Sequence, residues 1–142
     1  MEENINVLDE LNKGASMGMD AIHYILDKVE NEEFKKTLEL EYNKYKDISR
    51  RINEIYPKYN DEEPHTTTIM NKVMTWYGVQ MKILGDHSDS KIAELLLQGT
   101  NMGIIEGRKI LNNKHMDKEV NKIAEEYITM QEDSVEKLKT FL

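Results

Sequence analysis

Apolar residues recur every three or four positions along most of this chain. Val7, Leu11, Ile22, Ile25 and Val29 share one arc of a helical wheel, and Phe34, Leu38, Tyr45, Ile48 and Ile52 share a second. That spacing is the mark of helices with one apolar face. Two stretches break it clearly: "YPKYNDEEPHTTT" from Tyr56 to Thr68 and "GDHSDS" from Gly85 to Ser90. Weaker breaks fall at Asn31 and near His115, where polar residues compete for backbone hydrogen bonds and so favour caps. The pattern predicts five helices, at roughly 3–30, 33–56, 66–84, 88–113 and 117–141. With only 2 Pro and 2 Phe against nine Met, composition agrees with an all-α class, and 142 residues suit a single domain, 1–142.

The second half of the chain echoes the first. "GASMGM" at Gly14 returns as "GTNMGI" at Gly99, and at the same spacing of 85 Leu11, Ile25 and Leu26 fall on Leu96, Ile110 and Leu111. In the next helix Glu41, Tyr42 and Ser49 fall on Glu126, Tyr127 and Ser134. One offset thus spans two helices and their connection, which predicts a duplicated helical hairpin (3–56 and 88–141). The helix at 66–84 lies outside the repeat. Its length, about 30 Å at 1.5 Å per residue, matches the helices it joins and makes it a crossover. The predicted fold is a four-helix bundle with one long connection and a pseudo-twofold axis.

In this helix order, crossover and internal repeat the chain resembles the ferritin-like superfamily. The resemblance implies a bundle interior that holds two iron or manganese ions on one carboxylate from each of two helices and a Glu-x-x-His pair from each of the other two. Glu41 and Glu126 match the carboxylate positions. Lys44 and Thr129 stand three residues beyond them, however, and no Glu-x-x-His occurs anywhere in the sequence. The expectation is therefore no metal and no cofactor, with iron or manganese as the alternative. Glu106, at the edge of the core arc, could join Glu41 and Glu126 in an interior polar layer bonded to Tyr42, Tyr45 and Tyr127.

Other candidates have simpler explanations. Asp20 and His23 lie on the polar face of the first helix, and their repeat partners are Ile105 and Arg108, which favours solvated surface over a metal pair. His65, His87 and His115 fall at helix junctions; a zinc site from His65 and His115 with Glu63 or Asp117 is conceivable, but capping is the simpler role. Met17, Met102 and Met130 follow the core spacing and read as gap fillers.

Glycine inside a helix costs about 1 kcal/mol relative to alanine, so Gly14, Gly18, Gly99 and Gly103 on the apolar arcs need a reason. Close packing supplies one: the first and fourth helices cross tightly there, or Trp76 and Tyr77 of the crossover fill the notch. A groove admitting a small apolar ligand is the functional alternative.

Charge and composition bound the function. The 27 acidic against 19 basic residues give a net charge of −8, which disfavours nucleic acid. Cysteine is absent, and no segment reaches the roughly 18 apolar residues of a membrane span. The acidic, amphipathic N-terminal stretch lacks a signal-peptide pattern and points to the cytoplasm. Abundant Lys and Asn with little Arg hints at an AT-rich bacterial genome. Phosphate-loop, dinucleotide and serine-elbow motifs are lacking. The sequence alone favours a metal-free structural or protein-interaction module, with room for a homodimer or another protein partner. A divergent di-metal oxidoreductase or storage protein using Glu41, Glu106 and Glu126 stands second, and a small apolar ligand carrier third.

Overall fold

The computed structural model describes residues 2–60 and 69–142, and it is all-α, with five helices and no strand among the described residues. The helices are α1 (Glu2–Ile25), α2 (Glu32–Ile55), α3 (Ile69–Leu84), α4 (Asp89–Asn113) and α5 (Lys118–Lys139). Short 3₁₀ turns follow α1 at Leu26–Lys28 and α2 at Tyr56–Lys58. The predicted starts agree to within three residues; positions 66–68 of the expected crossover lie outside the described residues.

Local chemistry explains the ends. Asn31 caps α2 by accepting the Phe34 N–H (3.0 Å), and Ser88 caps α4 by accepting the Lys91 N–H (3.4 Å). Gly85 takes φ +64°, the left-handed conformation that closes a helix cheaply only as glycine, and it stops α3.

Helices α1, α2, α5 and α4 pack in a ring, neighbour against neighbour, while α1 also touches α5 across the middle and α3 lies along α1. Hydrogen bonds at the two ends fix their directions. At one end Glu3 and Asn4 accept the N–H groups of His115 (3.0 Å) and Asp117 (2.9 Å), and the Tyr59 hydroxyl donates to Asp117 (3.0 Å). At the other Asp89 accepts the N–H groups of Glu30 (2.9 Å) and Asn31 (2.8 Å), and Phe34 stacks on Phe141 at 4.5 Å between centroids. Hence α1 and α5 run one way and α2 and α4 the other.

Burial repeats between the hairpins, with a shift that the sequence match conceals. Val7, Leu11, Ala15 and Ile22 of α1 correspond in burial to Ile92, Leu96, Thr100 and Gly107 of α4, at the spacing of 85. In the second helix of each hairpin the spacing becomes 86. There the caps Asn31 and Asp117 correspond, as do the buried series Phe34, Leu38, Glu41, Tyr45, Ile48, Ile52 and Val120, Ala124, Tyr127, Gln131, Ser134, Leu138. The connection in the second hairpin is one residue longer, and one residue turns a helix by about 100°. Glu41 therefore matches Tyr127 in space, and Glu126 rotates out of the interior. Among the described residues, no helix is long and apolar enough to cross a membrane.

Candidate functional site

All four glycines of the repeated phrase line one cavity of about 440 Å³. Its mouth lies along the seam between α1 and α4, where Glu10, Met17, Met102 and Glu106 are exposed. Helix α3 contributes Trp76 and Tyr77, packed edge to face at 4.8 Å. The walls are apolar: Leu11 and Ile22 from α1, Leu38 from α2, Leu96 and Ile110 from α4, Leu138 from α5.

The tight crossing of α1 and α4 expected at these glycines is not what they accommodate: each seats a side chain from α2, α3 or α5. Gly14 takes the hydroxyl end of Tyr127, and Gly18 the ring of Tyr45, whose atoms come 2.5–2.6 Å from where a Cβ would stand. Gly99 takes the Tyr77 hydroxyl at 2.5 Å from the Cβ position, and Gly103 takes the Gln131 amide. Tyr77 of the crossover thus fills one notch, with Trp76 beside it. Tyr45 on Gly18 and Gln131 on Gly103 are the same contact in the two hairpins, since 45 and 131 correspond at the shifted spacing. Glycine at these four positions makes room for side chains that reach across from α2, α3 and α5.

The floor is polar. Glu41 on α2 and Gln131 on α5 are 4% and 3% exposed and both line the cavity. Ser134 donates its hydroxyl to Glu41 Oε2, and Gln131 Nε2 donates to the Tyr127 hydroxyl at 3.2 Å. Glu41 Oε1 and Gln131 Oε1 have no hydrogen-bond partner. Thr100 also lines the wall and donates its hydroxyl back to the Leu96 carbonyl at 2.8 Å. Burial pushes the Glu41 carboxyl above its ordinary value, opposed by the Ser134 hydrogen bond and by the charges of Lys137 and Lys44. Burial likewise raises the Tyr45 phenol to about 12 and the Tyr127 and Tyr77 phenols too, so all three stay neutral at physiological pH.

The carboxylates expected in one interior layer are dispersed. Only Glu41 is buried. Glu106 is exposed at the mouth, 3.6 Å from Lys109, and Glu126 is partly exposed and ion-paired with Arg51. Tyr127 is in the core, whereas Tyr42 is only partly buried against it. The one-residue register shift accounts for both differences. Among the described residues, no group of three or more His, Asp or Glu stands where it could hold a metal. Asp20 is partly buried, His23 is exposed, and neither lines the cavity. His87 bonds the Met81 carbonyl at 2.7 Å, and His115 is exposed; His65 and Glu63 lie outside the described residues. Met17 and Met102, expected in the core, are 43% and 56% exposed at the mouth, while Met130 packs partly buried against the core.

Gln131 and Thr100 were not identified by sequence reasoning. Gln131 carries a signal only once the spacing of 86 is known, because that spacing places it opposite Tyr45. The chain matches no family model, no curated protein and no solved structure.

Proposed function

We propose that this chain is a ferritin-like bundle, built from two related hairpins, that binds a small, largely apolar molecule in its interior. The observation that carries the reading is the 440 Å³ cavity itself, which lies within the size range of small-molecule sites and combines apolar walls with a few convergent polar groups. The opposed directions of α1 with α5 and α2 with α4, and the long connection through α3, support the ferritin-like assignment. The matched burial of the two hairpins supports their common origin.

Binding is preferred to a purely structural role because helical interiors normally close to crystal-like density. Here a space of about 440 Å³ stays open among the helices. A carboxylate di-metal centre is the weaker alternative, since Glu41 is the one buried carboxylate of the three. A ring system of naphthalene size, burying about 200 Å² of apolar surface, gains about 5 kcal/mol before the costs of ordering. That corresponds to a Kd near 0.2 mM from apolar burial alone, which the costs of ordering weaken and shape fit and polar contacts tighten.

The test uses Trp76, the chain's only tryptophan, which lines the cavity. Titration with the neutral probe N-phenyl-1-naphthylamine should quench Trp76 emission by energy transfer, saturating at one probe per chain. A linear, non-saturating response would reject the proposal.

A further inference from the structure

We infer that the occupant is an apolar amine, bound as its ammonium form, and that Glu41 receives the charged head. The inference rests on the ligand-binding reading above and adds the chemistry of the head group. Glu41 and Gln131 both line the cavity and are more than nine-tenths buried, and each keeps one acceptor oxygen, Glu41 Oε1 and Gln131 Oε1, without a hydrogen-bond partner. A buried acceptor left without a donor is costly, and a carboxylate more so.

Ser134 gives its hydroxyl proton to Oε2, Gln131 gives one of its two amide N–H groups to the Tyr127 hydroxyl, and the Tyr45 hydroxyl interacts with Gln131 and Thr100, yet among the described residues no side chain is in hydrogen-bond contact with Glu41 Oε1 or Gln131 Oε1. Lys44 and Lys137 act on Glu41 through their charge from α2 and α5, but both side chains lie at the exposed surface and neither forms an ion pair with it. An occupant that brings donors to this floor makes the bonds that the protein leaves unmade. An ammonium brings three N–H groups and a positive charge, enough for both acceptors, whereas a hydroxyl brings a single donor and no charge. A carboxylate or phosphate head would meet Glu41 with the same sign of charge. The Tyr45 and Tyr127 rings, edge to face at 6.3 Å, also line the cavity, and aromatic faces attract cations.

The experiment is isothermal titration calorimetry of the full chain near neutral pH with three probes sharing one apolar body: 1-naphthylmethylamine, 1-naphthylmethanol and 1-naphthoic acid. The amine should bind at least about ten-fold more tightly than the alcohol, and the acid more weakly than both. In Glu41→Gln the amine should weaken at least about ten-fold and fall to within about two-fold of the alcohol measured on the same variant. Gln131→Met provides a second variant if Glu41→Gln does not fold, and should lower the amine-to-alcohol ratio in the same direction. Equal binding of amine and alcohol by the unaltered chain, or tightest binding of the acid, overturns the head-group inference while leaving the ligand-binding reading standing. Failure of all three probes, together with N-phenyl-1-naphthylamine, overturns both.

Discussion

The ring of Tyr45 lies on Gly18, its atoms 2.5–2.6 Å from the point where a Cβ would stand. Gly18→Ala must displace a buried aromatic ring, and overpacking of that kind costs about 1–3 kcal/mol. The helix-propensity gain of about 1 kcal/mol offsets part of it, leaving an expected net loss of up to about 2 kcal/mol. Gly78 on α3 provides the control, because its nearest neighbour is the Tyr24 hydroxyl at an ordinary 3.5 Å. Gly78→Ala should therefore stabilise by about 0.5–1 kcal/mol. Urea unfolding of both variants checks the pair; stabilisation by both would mean that Gly18 is not a seat for Tyr45.

Glu41 should give the protein a recognisable pH dependence. Burial raises its carboxyl above the ordinary value, while Ser134 and Lys137 from α5 and Lys44 from α2 oppose the shift. A raised folded-state pKa contributes stability that is full below the unfolded carboxyl pKa and is lost as pH rises through the folded value. Glu41→Gln lacks this loss. Its melting temperature relative to the unaltered chain should therefore climb between mildly acidic and neutral pH, by a few degrees. A difference that stays flat or shrinks as pH rises would show that Glu41 is not held in a desolvated site.

Asn12 is fully buried, accepts the Ser49 hydroxyl at 2.8 Å through Oδ1, and has no partner for Nδ2. Ser49→Ala strands the second polar end of Asn12 and should cost about 1–3 kcal/mol. Adding Asn12→Leu, the residue found at the corresponding Leu97, should recover most of that loss, since removing both partners leaves nothing unsatisfied. Chemical denaturation of the single and double variants measures the recovery; a double variant less stable than Ser49→Ala would contradict it.

The helices, their order and the inward position of Glu41 were legible in the sequence because apolar periodicity and capping residues act locally. The glycine phrase was also legible as something special, but not what it accommodates: whether Gly18 faces a backbone, a ring or open space depends on how α2 approaches α1. The role expected of Glu126 failed for a definite reason. Sequence identity aligned the second helices of the hairpins at 85, whereas burial aligns them at 86. That single residue exchanges Tyr127 for Glu126 in the interior. Identical letters such as Ser49 and Ser134 pulled the match to the wrong register, and only the cap positions Asn31 and Asp117 pointed to the right one. A groove at the glycines was legible as one alternative, but the extent of the cavity was not, because it is a volume left between five helices and not a property of any one of them.

The most direct test of a ligand-binding interior is nuclear magnetic resonance of the protein labelled with ¹³C at its methionine methyl groups, titrated with 1-naphthylmethanol. Met17 and Met102 line the cavity mouth, whereas Met116 and Met130 pack elsewhere against the core. Binding in the cavity predicts saturable shift changes at Met17 and Met102, with Met116 and Met130 nearly still. No saturable change at the mouth, or equal movement at all four, would contradict the account.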